Sequence, residues 1–234
     1  MGASHDAPAG FRLFLPRPMT TPTTSRPTPG RLLSVLLSLL IVALLTWLGW
    51  QLWGTNMVAE HRQREVVGAL QDEWGDREGD ATTDPLRLGD GFAVLRIARF
   101  GADFEVPVIQ GVSEDDLASG VGHFSDTARP GQLGNFAVAG HRVTRGQPFA
   151  GFPSLRAGDE VTVETRTHLY TYVLDDGGTD IEVPASDTSV IRPVPGRPRA
   201  VPKRALITLV TCADLTTTED RSIVHGHLVA STHL

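Results

Sequence analysis

The stretch "DEVTVETRTHLYTYVL", residues 159–174, decides the fold class of this chain. Its β-branched and aromatic side chains alternate with polar ones, which is the period of a strand with one face on a core and the other in water. Five further segments of this kind, separated by Gly, Pro, Asp and Asn, are "FAVLRIARF", "FEVPVIQGV", "NFAVAGHRV", "RALITLVTC" and "SIVHGHLVAS". The pattern predicts an all-β domain, a sandwich or a closed barrel, over residues 88–234, with short helices in "SEDDLASGVGHF" and "FAGFPSL".

The N-terminal part of the chain has a different composition. Residues 1–31 are rich in Pro, Thr, Ser and Ala, which predicts a disordered tail. The 22 residues 32–53 carry no charge, which is enough for a helix to cross the roughly 30 Å core of a bilayer. A cleaved signal peptide is the competing interpretation, but no small-residue cleavage site follows. We therefore expect an uncleaved transmembrane helix.

The flanks of this apolar run predict its orientation. Three tryptophans crowd its C-terminal end, at Trp47, Trp50 and Trp53. Four arginines precede it, at Arg12, Arg17, Arg26 and Arg31. Positive charge on the N-terminal side predicts a cytoplasmic tail and an extracellular remainder. Residues 54–87 contain a charged helical segment followed by "GDREGDATTDP", so we expect an extracellular helical stalk and linker before the domain at 88–234.

Overall charge and cysteine content limit the possible functions. The formal net charge of -6 and the isoelectric point near 5.7 argue against a nucleic-acid partner, which needs a basic face. The single cysteine, Cys212, cannot form an internal disulfide. It is therefore a buried small hydrophobe, half of an intermolecular bridge, or a reactive thiol.

Cys212 stands where the strand "ALITLV" ends, and a nucleophilic thiol there needs a base or a cation. His141 follows the strand "NFAVAG" and is the first candidate, whereas His123 falls in a turn or short helix and His168 in mid-strand. Arg221 opens the next strand, so a hairpin would bring it beside Cys212, where its planar donors suit a developing oxyanion. A plain surface arginine is the alternative.

The last strand carries a possible but incomplete metal site. His225 and His227 alternate on one face, yet no carboxylate or cysteine cluster supplies an evident third ligand. We expect neither a metal nor another cofactor. Residues 186–204 contain four prolines between two strong strands and predict a long loop, either the wall of a binding site or a surface insertion.

Two motifs resemble those of sortases, the membrane-anchored cysteine transpeptidases of Gram-positive bacteria. "TLVTC", residues 208–212, fits the family's T-L-x-T-C pattern, with Arg221 nine positions later, and "GNFAVAGHR", residues 134–142, fits its histidine motif. "TCADL" and "GHRVTRGQPF" look most like class E, the housekeeping sortases of actinobacteria. The resemblance implies a closed sortase-type β-barrel behind an N-terminal anchor.

The resemblance also implies roles for individual residues. Cys212 would be the nucleophile, His141 its proton-transfer partner and Arg221 the stabiliser of substrate and oxyanion. Thr208 and Thr211 would position substrate through their hydroxyls, although packing within the strand also explains them. Arg145 stands where the class often has an aromatic residue, which leaves a Leu-Pro-x-Thr-Gly or a Leu-Ala-x-Thr-Gly signal undecided.

The implied reaction cleaves a C-terminal sorting signal between Thr and Gly and joins the surface protein to an amine of a lipid-linked peptidoglycan precursor. Alternative outcomes are hydrolysis, or a pilus-type sortase that uses a lysine amine. A non-catalytic, membrane-anchored β-domain that binds peptide or cell wall, with Cys212 buried, is the rival outside enzymes. An L,D-transpeptidase is disfavoured, because its histidine-glycine-cysteine signature does not surround Cys212.

Overall fold

The computed structural model describes residues 29–50, 55–75, 86–212 and 219–234 of the 234-residue chain. Nearly all of the predicted tail, at 1–28, lies outside these ranges, as do parts of the predicted membrane helix and linker. The chain divides into two compact units, Met1–Leu45 and Thr46–Leu234.

Helix α1 spans Pro29–Gly49 and coincides with most of the predicted membrane segment 32–53. Leu33, Leu36 and Leu40 are among its exposed apolar side chains. Within the described ranges, no helix combines the length and the apolarity needed to cross a membrane. The membrane span therefore stays a prediction from the sequence.

The described residues form nine strands, most of which pair in antiparallel fashion. They are β1 (Gly91–Ile97), β2 (Val106–Gln110), β3 (Val121–His123), β4 (Gly134–Ala139), β5 (Glu160–Glu164), β6 (His168–Leu174), β7 (Ile181–Pro184), β8 (Ala205–Cys212) and β9 (Asp220–His233). Eight of them follow the order β6-β5-β1-β2-β3-β4-β8-β9, and pairing of β6 with β9 closes the ring. The predicted all-β closed barrel is confirmed.

The long strand β9 allows both the closure of the barrel and the addition of β7. Its first residues pair with β7, Ile181 standing opposite Ile223, and its later residues pair with β6, Leu174 standing opposite Gly226. Its other edge pairs with β8 from Leu206 to Cys212. Strand β7 thus lies outside the eight-stranded ring.

The core fills the inside of this ring, as the alternation in β5 and β6 requires. Val161 and Val163 of β5 and Tyr172 and Leu174 of β6 are buried, while their neighbours along each strand are partly exposed. Side chains from β1, β2, β3, β4, β8 and β9 belong to the same cluster, with Phe149 and Phe152 from the connection after β4. One face of β5 therefore packs in the core, and its opposite face carries the polar side chains of Glu160, Thr162 and Glu164.

Short helices occur in both segments where the sequence predicts them. Helix α3 spans Glu114–Ser119 and begins at a capping box, in which Ser113 and Asp116 bond each other's side chain and backbone. A 3₁₀ helix occupies Phe152–Ser154. Two further 3₁₀ helices lie at Ala98–Phe100 and at Thr188–Ile191, the second within the predicted proline-rich loop.

Helix α2, Thr55–Trp74, packs against the barrel. Its buried side chains Val67, Leu70 and Trp74 form a small apolar cluster with Val94 of β1. The compact unit that holds the barrel begins at Thr46, so it includes α2, whereas the sequence analysis placed this segment in a stalk outside the domain. The charges on the exposed face obscured a buried stripe with helical spacing.

Candidate active site

The parallel pairing of β4 with β8 sets the position of His141 relative to Cys212. Ala139 pairs with Val210, and Gly140 continues the ladder by donating its N–H to the carbonyl oxygen of Val210 at 3.0 Å. Extending the same register by two residues from Ala139 brings His141 level with Cys212. The histidine and the cysteine therefore stand at the ends of two neighbouring strands, at the same end of the barrel.

Arg221 lies on the other side of Cys212. These two residues are the last cross-strand pair of the antiparallel ladder between β8 and β9. The guanidinium of Arg221 donates to the carbonyl oxygen of Asp220 at 2.9 Å. The hairpin thus places Arg221 beside Cys212. Because β4, β8 and β9 are neighbours in the sheet, all three predicted catalytic residues lie at the same end of the barrel.

The surroundings of His141 favour its neutral form. Burial is the main cause that lowers its pKa from the ordinary value, Glu114 opposes this shift and Arg145 adds to it. In the described part of the chain no group hydrogen-bonds the buried Nε2 atom. A neutral imidazole can accept a proton from a neighbouring thiol, and a lowered pKa makes the resulting imidazolium a ready donor.

The loop after His141 is ordered by contacts along its whole length. Phe149 donates its N–H to the carbonyl oxygen of His141 at 3.0 Å, which closes the loop. A Cβ on Gly140 would stand 2.7 Å from a ring carbon of Phe149, so the loop folds tightly onto the end of β4. At its tip, Arg145 Nη2 lies 3.2 Å from Glu114 Oε2 of α3. Arg145 is therefore in the loop after the histidine, as the sequence analysis expected.

Thr211, predicted to position substrate, is buried and ties β8 to the strand before His141. Its hydroxyl donates to the carbonyl oxygen of Gly140 at 2.8 Å. The bond joins the residue before Cys212 to the residue before His141. Its direct effect is to hold the two strand ends in register.

Thr208 is fully buried and belongs to a polar network on the outer face of the barrel. Its hydroxyl donates to Asn135 Oδ1 at 2.8 Å and lies 3.0 Å from His225 Nδ1, and Asn135 Nδ2 donates to the carbonyl oxygen of Val190 at 3.2 Å. Val190 belongs to the 3₁₀ helix of the proline-rich segment. These contacts favour the packing explanation of Thr208 over substrate contact.

Other histidines of the barrel make hydrogen bonds or ring contacts with neighbouring side chains. His123 Nδ1 lies 2.7 Å from Gln110 Oε1, and His227 Nδ1 lies 2.8 Å from Asp175 Oδ1. His168 stacks on Tyr170 with ring centroids 5.6 Å apart. Among the described residues, no three His, Cys, Asp or Glu side chains are grouped so that they could hold a metal ion.

Sequence reasoning missed several residues around the site. Asn56 and Gln63 of α2 reach the His141 loop, Glu114 pairs with Arg145, and Asn135 fixes Thr208. The helical spacing of the buried positions 56, 59, 63, 67, 70 and 74 is the signal that could have shown a docked helix. Glu114 and Asn135 carry no local signal, because only the tertiary fold brings them to their partners.

A closed barrel that presents a cysteine, a histidine and an arginine at three adjoining strand ends has the architecture of a cysteine transpeptidase. The family model described as Sortase domain matches residues 95–229. The chain belongs to the sortase family.

The relatives bear out the resemblance to class E. Sortase SrtE1 of Streptomyces coelicolor is 34% identical over 196 residues, which are 80% of this chain and 54% of that protein, so the chain spans about half the length of this relative. The structure of sortase E from Streptomyces avermitilis is 41% identical and has a TM-score of 0.57, covering 63% of this chain and 93% of that chain. The structure of sortase E1 from Streptomyces coelicolor with a tripeptide in the active site is 33% identical, with a TM-score of 0.53, and covers 64% and 94%.

Proposed function

We propose that this protein is a membrane-anchored transpeptidase that cleaves a C-terminal sorting signal between Thr and Gly and joins the protein to a cell-wall amine. The observation that carries the proposal is the register of three neighbouring strands. The end of β4, two residues before His141, lies beside the end of β8 near Cys212, and Arg221 of β9 pairs with Cys212. The tripeptide in the active site of the related sortase E1 supports a peptide substrate.

The first half-reaction forms a thioacyl enzyme. His141 takes the proton of Cys212, whose Sγ attacks the carbonyl carbon of the signal's threonine. The tetrahedral intermediate collapses when the bond between that carbon and the glycine nitrogen breaks, and His141 returns the proton to the leaving amine. The lowered pKa of His141 suits both transfers, because the neutral ring accepts the proton and the imidazolium releases it readily.

The second half-reaction transfers the acyl group. An amine of a lipid-linked peptidoglycan precursor attacks the thioester carbon, its proton passes to His141, and the Cys212 thiolate leaves. In both halves the carbonyl oxygen carries negative charge, and Arg221 on the neighbouring strand is the cation we assign to it. A new amide bond replaces the thioester, and the proton on His141 returns to the Cys212 thiolate, which restores the starting state.

Anchoring places this chemistry where its substrates are. The uncharged run at 32–53 and the arginines before it support a single membrane pass, with the tail 1–31 in the cytoplasm and the barrel outside. In intact cells that produce the chain, added protease should degrade the barrel and leave the tail protected. Protection of both parts would contradict this orientation.

Mass spectrometry of peptide cleavage tests the activity. The 234-residue chain and its Cys212→Ala variant are incubated with Leu-Pro-x-Thr-Gly and Leu-Ala-x-Thr-Gly peptides, with and without an added amine. We expect cleavage between Thr and Gly by the unaltered chain alone, and an amide product when amine is present. The ratio of the two peptide rates decides the preference that Arg145 leaves open.

Other product patterns would identify the alternatives. Cleavage that yields only the free acid at every amine concentration would indicate a hydrolase. Transfer to a lysine side chain but not to a peptidoglycan-type amine would indicate a pilus-type enzyme. No cleavage of either peptide by the folded chain would refute the proposed activity on these signals.

A further inference from the structure

One peptide unit in the loop after His141 is held from both sides by helix α2. Gln63 Nε2 donates to the carbonyl oxygen of Arg145 at 3.2 Å, and Asn56 Oδ1 accepts from the N–H of Gly146 at 3.2 Å. This carbonyl and this N–H belong to the same peptide bond and point in opposite directions. Both polar groups of the 145–146 peptide are therefore satisfied by side chains of a single helix.

The two amide side chains are placed for this contact. They are seven residues apart, which is two helical turns or about 10.5 Å along the axis, so they lie on one face of α2 and flank the peptide. Asn56 is 6% exposed and Gln63 is 7% exposed. Burying an amide is unfavourable unless it is hydrogen-bonded, and the 145–146 peptide supplies bonds to both.

Docking of α2 onto the barrel comes from a different part of the helix. Val67, Leu70 and Trp74, in its C-terminal half, are buried and form the apolar cluster with Val94. The polar pair lies in the N-terminal half, against the loop. Changing the pair therefore alters the hold on the loop and leaves the apolar docking contacts in place.

The loop needs stabilising contacts from outside it, because three consecutive residues have left-handed backbone conformations. Arg145, Gly146 and Gln147 have φ values of 55°, 79° and 48°, and two of these three residues are not glycine. Left-handed backbone at non-glycine residues persists where surrounding contacts fix it. A Cβ on Gly146 would stand 2.8 Å from Gln63 Nε2, so the helix and the loop are in close contact at this point.

His141 stands at the base of this loop, and its ring has few restraints of its own. Among the described residues no hydrogen bond restrains Nε2, and the carbonyl oxygen of His141 is bonded to Phe149 at the far end of the same loop. A loop released at its tip would move both ends of this closed segment. Because His141 stands at one of these ends, its imidazole would move with the loop.

We propose that Asn56 and Gln63 are positioning residues, which hold the 145–146 peptide and thereby fix the loop that carries His141. Helix α2 is then a functional part of the site as well as a packed element of the domain. The proposal rests on the proposed function of His141 as the proton-transfer partner of Cys212.

Near-isosteric variants of the 234-residue chain separate the two hydrogen bonds from side-chain bulk. Asn56→Asp keeps an acceptor for the Gly146 N–H, whereas Asn56→Leu removes it. Gln63→Glu replaces the donor with a carboxylate that faces the carbonyl oxygen of Arg145. Gln71→Ala changes an exposed side chain on the same helix and is the matched control.

Hydrogen exchange measures directly whether the contacts from α2 stabilise the loop after His141. We expect exchange in peptides covering residues 142–149 to accelerate about fivefold in Asn56→Leu and Gln63→Glu, to accelerate less in Asn56→Asp, and to stay unchanged in Gln71→Ala. Unchanged exchange in Asn56→Leu and Gln63→Glu would overturn the proposal.

Kinetics reports on the consequence for the site. In the same two variants we expect kcat for peptide cleavage to fall about tenfold with KM little changed, because misalignment of a catalytic group acts on the chemical step. The Asn56→Asp variant, which keeps the acceptor, should lose less kcat than Asn56→Leu, and Gln71→Ala should retain the unaltered kcat. Faster exchange with an unaltered kcat would overturn the positioning role.

Alkylation keeps this test independent of the peptide substrate. Cys212 is the only cysteine, so the pH dependence of iodoacetamide labelling reports on its proton partner. We expect the profile of Asn56→Leu to move towards that of His141→Ala, and the profile of Gln71→Ala to match the unaltered chain. If the unaltered chain cleaves no peptide, the proposed function fails, and the exchange and labelling results still decide whether α2 positions His141.

Discussion

Cys212 and Arg221 face each other as the final cross-strand pair of β8 and β9. This neighbour relationship predicts that Arg221 acts on the oxyanion formed at the Cys212 thioester carbon. Arg221→Ala should lower the rate of single-turnover acylation by about 10²- to 10³-fold, the usual effect of removing an oxyanion donor. Stopped-flow or quenched-flow measurement of thioacyl formation checks it.

Arg221→Lys is the control for charge alone. It keeps the positive charge but loses the planar fork of donors, so we expect an intermediate acylation rate. If Arg221→Ala raises KM and leaves the acylation rate intact, Arg221 binds substrate and does not stabilise the oxyanion.

The bond from Thr211 to Gly140 predicts that a buried hydroxyl keeps His141 and Cys212 in register. Thr211→Val preserves the shape of the side chain and removes the bond. Loss of one buried hydrogen bond should lower the free energy of unfolding by about 1 kcal/mol. We also expect a decrease in kcat, measured on the preferred peptide.

Thr211→Ser restores the hydroxyl and should recover most of both losses. An unaltered kcat in Thr211→Val, together with the expected stability loss, would limit Thr211 to a packing role. A rise in KM alone would instead return it to the substrate-binding role that the resemblance implies.

The barrel and the strand-end positions of the predicted catalytic residues could be read from the sequence, because both depend on local patterns. Alternation in residues 159–174 specifies one buried face, and Cys212, His141 and Arg221 each stand where a strand begins or ends. Only pairing between distant strands decides which of these ends are neighbours. The register of β4 on β8 supplies that information.

The role of α2 and the place of Thr208 could not be read in the same way. The mixture of charged and apolar residues in α2 suits both an exposed stalk and a helix docked by one face, and only the contact with Val94 distinguishes them. Thr208 faces away from the core formed by Ile207 and Leu209. Its burial depends on the Thr188–Ile191 helix, which comes from a loop without a periodic pattern.

The buried His123 ring predicts a loss of stability in mild acid. Burial is the main cause that lowers its pKa to about 4. The unfolded chain takes up the proton below its ordinary value near 6.5, whereas the folded chain resists it. Stability is therefore full above about pH 6.5 and falls as pH drops towards 4, by about 3 kcal/mol in total from this group.

Urea unfolding at several pH values between 7 and 4 measures this loss, and His123→Gln is the comparison. Burial also lowers the pKa of His141 and His225, so both proteins should lose stability in acid. Between pH 7 and 4, the free energy of unfolding of the variant should therefore fall by about 3 kcal/mol less than that of the unaltered chain. Parallel pH dependence in the two proteins would show that His123 does not contribute.

The packing of α2 predicts where a stable domain must begin. A fragment 46–234 contains the whole compact unit, whereas a fragment 88–234 lacks the helix and exposes Val94, which is fully buried in the chain. Val67, Leu70 and Trp74 each contribute about 1.5–3 kcal/mol by burial, so the shorter fragment should be less stable by about 5–9 kcal/mol. Thermal unfolding followed by circular dichroism should give a clearly lower Tm for it.

Leu70→Ala in the longer fragment distinguishes docking of α2 from a general effect of chain length. This change removes part of the apolar contact and leaves the length of the fragment unchanged. It should therefore also lower the Tm, but by less than removal of the whole helix does. Equal Tm values for the fragments 46–234 and 88–234 would mean that α2 adds nothing to the stability of the barrel. The helix would then behave as the stalk that its charge pattern first suggested.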